Sequence, residues 1–289
     1  MNAQTHDFRD GNGPVPAHRH TNGGGWVANT AHVHNSAYIG PDARVYGNAW
    51  VSGNVWVSGD ASVHGDAWVS GDARVSGDAK VLGKAWVSGG GWVFGDARVS
   101  GGGWVSDDAR VSGDAKVYGK AWVHGDACVF GDAWVSGDAL VYGNARVSGN
   151  AWVSGDARVY GNALVYGDAL VYGNALVYGD AWVSGDARVY GNALVYGDPL
   201  VYGNARVYGN ALVYGNALVK RGMYTSTPTS ITRSDGYMFT LQSDGSIVAG
   251  CRDFTPDEAK AYWGNPEHHK HRESMAIVTA LSAIAAERQ

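Results

Sequence analysis

From Val27 to Val219 a branched aliphatic residue stands at every sixth position, Val throughout except Ile39. That is 32 steps of six, hence 33 hexads, with no insertion or deletion. Two residues before each Val is a small residue, nearly always Ala; the exceptions are Gly25, Val55, Gly91, Gly103 and Pro199. Two residues after most Val comes Gly, followed by Asp or Asn. A period of six fits neither an α-helix nor a heptad, and a Gly in every hexad would cost a helix about 1 kcal/mol each. It fits a short strand and a corner. Ala-x-Val-x alternates with period two, so Ala and Val point inward and both x residues outward. Gly supplies φ > 0 at the bend, and the Asx side chain is expected to bond its own backbone there.

Three such sides close one 18-residue coil. Coils stacked at the strand spacing of about 4.8 Å would make eleven coils a rod of about 53 Å. The predicted fold class is therefore mainly β: a parallel three-sided β-helix of about eleven coils, followed by a small α+β module. Val45 to Ala49 and Val69 to Ala73 show an aliphatic residue followed four positions later by a small one. In this the chain resembles the hexapeptide-repeat left-handed β-helix family over about two thirds of its length. It departs in that Ser or Tyr follows the Val and Gly comes one place later. The resemblance implies left-handed coils; periodicity alone does not fix the hand, and a right-handed bactofilin-like solenoid stays open.

Residues 18 apart share a face. On one face the column before Val runs His32, Trp50, Trp68, Trp86, Trp104, Trp122, Leu140, Arg158, Leu176, Leu194, Leu212. The column after Val runs Ser52, Ser70, Ser88, Ser106, His124, Tyr142, Tyr160, Tyr178, Tyr196, Tyr214. The expectation is an aromatic strip, Trp first and Tyr later, and it is the candidate binding surface. A second face carries Asp42, Asp78, Asp96 and Asp114 at a corner, each with a cation two residues on: Arg44, Lys80, Arg98 and Lys116. They are expected to pair as a solvated ladder, because unpaired stacked carboxylates repel. A third face mixes Trp56, Trp92 and Trp182 with Arg74, Arg110 and Arg146.

The ends lack the period. Residues 1–24 are expected to be a mobile polar tail with His18 and His20 solvated. The solenoid spans 25–221, residues 222–232 read as a linker, and 233–289 form an α+β capping or interaction module. Strands are expected at Ser230–Arg233, Tyr237–Leu241 and Ser246–Cys251, with a turn at Asp244-Gly245. Thr255-Pro256-Asp257-Glu258 has capping-box spacing and opens a short helix ended by Gly264. A second helix starts near Lys270 with Ile277, Val278, Leu281, Ile284 and Ala285 on one side. The module is expected to cover the bare end of the solenoid. The segments Ser234-Asp-Gly-Tyr, Ala249-Gly-Cys-Arg and Phe254-Thr-Pro-Asp-Glu-Ala resemble the C-terminal module of hexapeptide-repeat proteins of phages and prophages.

Composition narrows the functional classes. The chain has 289 residues, 43 of them Gly and 12 Trp; 11 of the Trp stand just before the repeat Val. The formal net charge is -5, with 22 basic and 27 acidic residues, so a nucleic-acid partner is not expected. No apolar run approaches the roughly 20 residues a bilayer needs, so no membrane partner is expected. No signal peptide is read at the N-terminus, and the expected location is the bacterial cytoplasm or a virion assembled there. Cys128 and Cys251 form no disulfide or zinc pattern, and Cys251 is expected to be structural. His268, His269 and His271 are read as solvated, and no cofactor or metal is expected.

The resemblance implies acyltransferases, which place a catalytic His near a loop that breaks the repeat, between subunits of a trimer; some relatives are carbonic anhydrases. Here the 33 hexads run without such an excursion, and His64 and His124 lie on different faces. The expected function is a non-catalytic scaffold or interaction protein, a phage or prophage accessory, that self-associates or binds a partner through the aromatic face. An acyltransferase with an inter-subunit site and a glycan-binding rod stay open, as does simple ring stacking that only stabilises the sheet.

Overall fold

The computed structural model describes residues 4–250 and 252–287. The chain is mainly β: a parallel β-solenoid of about eleven coils, a small antiparallel sheet and two helices. It divides into two compact units, Met1–Gly161 and Asn162–Gln289.

In the first unit each hexad contributes a short strand made of the outward residue and its Val, as in Trp50–Val51 and Arg74–Val75. The repeat Val and Ala from Val45 to Val159 have no exposed surface beyond 1%. Trp68 pairs in parallel with Trp50 on one side and Trp86 on the other, so the coil is 18 residues long. The residue before Val donates to the small residue of the next coil (Trp68 N to Ala85 O, 2.9 Å), and the residue after Val donates to the next Val (Ser70 N to Val87 O, 2.9 Å).

The corner glycine is required twice over. Gly65 has φ +74°, and a Cβ there would lie 2.9 Å from the Gly83 nitrogen of the next coil. Asp107 holds the same slot with φ +57°, and its Oδ2 accepts from Gly125 N at 3.2 Å. The Asx side chains act differently from the expected turn bond. Asn48 N already donates to Gly65 O at 2.8 Å, so its side chain is free to reach across coils and donate to Asp66 Oδ1 at 3.2 Å. Asn54 donates to Asp72 in the same way at 3.3 Å.

Residues 4–24 are not the expected loose tail. Thr5–Asp7 and Pro14–Arg19 form an antiparallel hairpin, and Pro14–Arg19 pairs antiparallel with Trp26–Ala28 of the first coil. Phe8, Ala17 and Ala28 bury a small apolar cluster. Arg19 lies over Trp26 at 4.2 Å and donates to the carbonyls of Gly24 and Pro41. His20 is 5% exposed rather than solvated; His18 Nδ1 lies 2.9 Å from Asn29 Oδ1. The ordering force is the bare edge of the first coil, which a hexad count does not reveal.

The second unit continues the hexad from Leu164 to Val219. The expected linker starts instead as one more strand: Met223–Tyr224 pairs in parallel with Arg206–Val207 and puts Tyr224, 5% exposed, opposite Val207. Gly222, at φ +88°, absorbs the one-residue shortfall in the register. The module has four antiparallel strands, Ser230–Thr232, Met238–Leu241, Ile247–Ala249 and Arg252–Phe254, the last unanticipated. Helix α1 spans Pro256–Trp263 with Thr255 and Glu258 as a complete capping box; helix α2 spans His271–Glu287. Ile277, Val278, Leu281 and Ala285 pack on Phe239, Leu241 and Ile247. Cys251 lies outside the described residues.

The module closes the last coil through side chains that stand in for a backbone. Gln242, 1% exposed, donates from Nε2 to Leu218 O at 2.8 Å and accepts at Oε1 from Lys220 N at 2.9 Å. The same oxygen accepts from Tyr224 OH at 3.0 Å, and Thr240 Oγ1 accepts from Leu218 N at 3.2 Å. Burial pushes the Tyr224 phenol far above its ordinary pKa. No helix of the described residues is long and apolar enough to cross a membrane.

Candidate functional site: stacked rings on the solenoid faces

The alternation of the repeat sends two side-chain columns outward on each face, one before Val and one after it. In the first unit the expected strip forms an unbroken file of nine rings: His32, Trp50, Trp68, Trp86, Trp104, Trp122, His124, Tyr142 and Tyr160. Successive centroids are 4.4–5.6 Å apart. The indole planes grow more parallel along the file, from 33° between Trp50 and Trp68 to 12° between Trp104 and Trp122. Trp50, Trp68 and Trp86 remain 43%, 41% and 38% exposed, so stacking covers one another's faces but leaves the outer edges in water.

Four indoles lean over the after-Val column of the preceding coil far enough to donate to it. Trp122 Nε1 donates to Ser106 Oγ at 3.0 Å, Trp152 to Ser136 at 3.1 Å, and Trp104 to Ser88 at 3.4 Å. Ser106 and Ser136 are buried beneath those rings. The donor and acceptor are 16 residues apart, a spacing legible in the sequence and missed there. Of the ten Trp from Trp50 to Trp182, six have Ser sixteen places earlier, one Gly, one His and two Tyr. In both Tyr cases the rings meet edge-on, Tyr118 with Trp134 at 82° and Tyr166 with Trp182 at 76°.

His124 is the ring at which bulk changes column. It lies 4.4 Å from Trp122 on one side and stacks parallel within 3° on Tyr142, at 5.0 Å, on the other. Its Nδ1 lies 3.8 Å from Asp107 Oδ2. Burial pulls the imidazole below its usual pKa, and the Asp107 carboxylate opposes that. His64, stacked 4.5 Å from Tyr46, is lowered by burial and then by the Arg98 charge. His124 and Asp107 are the nearest approach to an acid–base pair on this face.

In the second unit the phenols take over. Tyr178, Tyr196 and Tyr214 stack at 5.2 and 5.7 Å, beside Leu176, Leu194 and Leu212. On another face Tyr172, Tyr190 and Tyr208 stack within 3° of parallel.

The ion-pair ladder takes a different form from the expected one. Arg44 Nη2 lies 4.0 Å from Asp60, one coil on, rather than from Asp42. Among the described residues no ion pair joins Lys80, Arg98 or Lys116 to Asp78, Asp96 or Asp114. The cations lie on the flat of the strand while the carboxylates stand on the corner, and Lys116 Nζ sits over the Trp134 ring at 4.5 Å. Among the described residues no cluster of three His, Cys, Asp or Glu is placed to hold a metal.

No curated protein matches the chain. Seven segments, 43–59, 109–125, 139–155, 157–172, 169–185, 187–203 and 201–215, match the family model described as the YdcK beta-solenoid repeat; the chain is similar to that family through its repeats.

Proposed function

We propose that the protein is a non-catalytic interaction module whose aromatic file docks a second copy of the chain. The observation that carries this is the unbroken nine-ring file with its outer edges in water. Three indoles at about 40% exposure leave on the order of 300 Å² of apolar surface from those rings alone. A monomer rarely exposes a larger contiguous patch, and self-association through a repeated surface is the commonest way to cover one. The resemblance of the C-terminal module to phage and prophage proteins supports an accessory role in a phage, with the left-handed coil of the hexapeptide-repeat family.

Light scattering on the wild type and on Trp68→Ser/Trp86→Ser/Trp104→Ser tests the reading. The wild type is expected to associate and the triple variant to dissociate while its circular dichroism stays β-like. A wild type that is monomeric sinks the proposal.

The pair His124–Asp107 favours one second reading, general-base acyl transfer at a site completed by a neighbouring subunit. Such chemistry needs the base within reach of its substrate in an enclosed site. Calorimetric titration with acetyl-CoA separates the readings, since the docking module binds none.

A further inference from the structure

The face next to the ring file lacks one ring and has a cleft in its place. There the column before Val runs Tyr38, Trp56, Arg74, Trp92, with Arg74 paired in register between the two tryptophans. Trp56 and Trp92 are thus two strand spacings apart, about 9.5 Å. Two successive ring stacks need about the same distance. Between them opens a cleft of about 750 Å³ lined by Asn54, Trp56, Ser58, Asp72, Arg74, Ser76 and Trp92. That lies within the usual range of ligand sites, about 300–1,000 Å³.

The walls are asymmetric. Trp92 is fixed: its Nε1 donates to Ser76 Oγ at 3.4 Å, and Arg74 and Arg110 flank it at 5.8 and 5.9 Å. Trp56 rests one face on Tyr38 at 4.0 Å and is 48% exposed. Among the described residues no ring or cation covers its other face, which looks into the cleft. Asp72 Oδ1 accepts from Asn54 at 3.3 Å, and among the described residues no ion pair engages Asp72 or Arg74.

We propose that this cleft binds one pyranose unit of a neutral glycan. A pyranose presents C–H groups on its faces and hydroxyls around its edge, and the cleft offers an open indole for the first and Arg74, Asp72, Ser58 and Asn54 for the second. Hydroxyls bound to a guanidinium and a carboxylate make charge-assisted hydrogen bonds. A purely apolar ligand would leave those groups unpaired. A nucleic-acid strand is disfavoured, because Asp72, Asp108 and the chain's net charge of -5 repel phosphates that only Arg74 and Arg110 stand near to neutralise. The site is separate from the ring file, so its occupancy is independent of self-association.

Calorimetry on the full chain uses three probes: hexasaccharides of β-1,4-glucose, α-1,4-glucose and β-1,4-N-acetylglucosamine. At least one is expected to bind saturably. Removing the indole in Trp56→Ala should weaken it about three- to tenfold, the worth of one stacked ring. Arg74→Ser, an exposed position that leaves the core untouched, should weaken it as well, while Trp152→Ala on another face leaves it unchanged. Circular dichroism verifies that each variant is folded, and Arg74→Ser decides alone if Trp56→Ala is not. Three probes that all fail to bind overturn the proposal. So does binding indifferent to Arg74→Ser, or preferential binding of oligothymidylate used as a polyanion control.

Discussion

The tryptophan file of the first unit and the tyrosine files of the second solve one problem in opposite ways. Within these files a ring stands before Val or after it, and at Trp122 with His124 in both places. Where the ring is Trp it stands before Val, and at Trp92, Trp104, Trp122 and Trp152 a Ser of the preceding coil accepts its N–H. Where the ring is Tyr it stands after Val, with Leu before Val beside Tyr178, Tyr196 and Tyr214 and Arg beside Tyr190 and Tyr208, and the rings lie within 2–18° of parallel. Four indoles, Trp92, Trp104, Trp122 and Trp152, are tied to the preceding coil by a hydrogen bond as well as by ring contacts, and the phenols stack on one another. Ser is therefore a packing partner of the Trp one coil on where that bond forms.

Cutting one ring from each file should give the largest effect and an unequal one. Trp104→Ala loses two ring contacts and its bond to Ser88, about 2–3 kcal/mol by thermal unfolding. Tyr190→Ala loses two ring contacts only, about 1–2 kcal/mol. Equal losses would mean that the indole bond adds nothing. Mixing the two solutions should cost less. Ser88→Tyr places a phenol where Trp104 leans and turns the indole edge-on, as Tyr118 does to Trp134, for about 1–2 kcal/mol. The exciton band of the parallel indoles in circular dichroism should weaken with it; an unchanged band would show that the rings do not share one footprint.

How far these files can be read from sequence differs by feature. The Val and Ala rows and the 18-residue register are legible because burial repeats without interruption from Val45 onward. The N-terminal hairpin is not, because Phe8, Val15 and Ala17 are held by an edge that exists only once the first coil forms. Met223–Tyr224 is hidden by a one-residue slip that Gly222 alone makes possible. The ring file itself is legible, but its coupling to Ser lies at spacing 16, where strand alternation gives no reason to look. The charge ladder misleads because nearness along the chain is not nearness in space: Arg44 meets Asp60, not Asp42.

Smaller effects sharpen the comparison further. Ser106→Ala removes the acceptor under Trp122 and should cost about 0.5–1 kcal/mol, while Ser52→Ala, to which no indole bond is made, should cost less. The histidines of the first unit should titrate. His64 and His124 both lie below their ordinary value of 6.5 in the folded chain. The unfolded chain then binds more protons as pH falls below 6.5, so stability is complete above that pH and erodes beneath it. His124→Tyr, which extends the tyrosine column by one coil, should lessen the drop in melting temperature between pH 7.5 and 5.5. An unaltered drop would assign it to other groups.

Gln242 has a consequence for how such a chain changes over time. The end-piece that carries it addresses Leu218 O and Lys220 N, atoms every coil possesses whatever its outward residues. Duplication or loss of an 18-residue segment upstream would present the same atoms to the same amide. Length is thereby uncoupled from termination, and the number of coils is free to drift in whole turns while the last turn stays sealed.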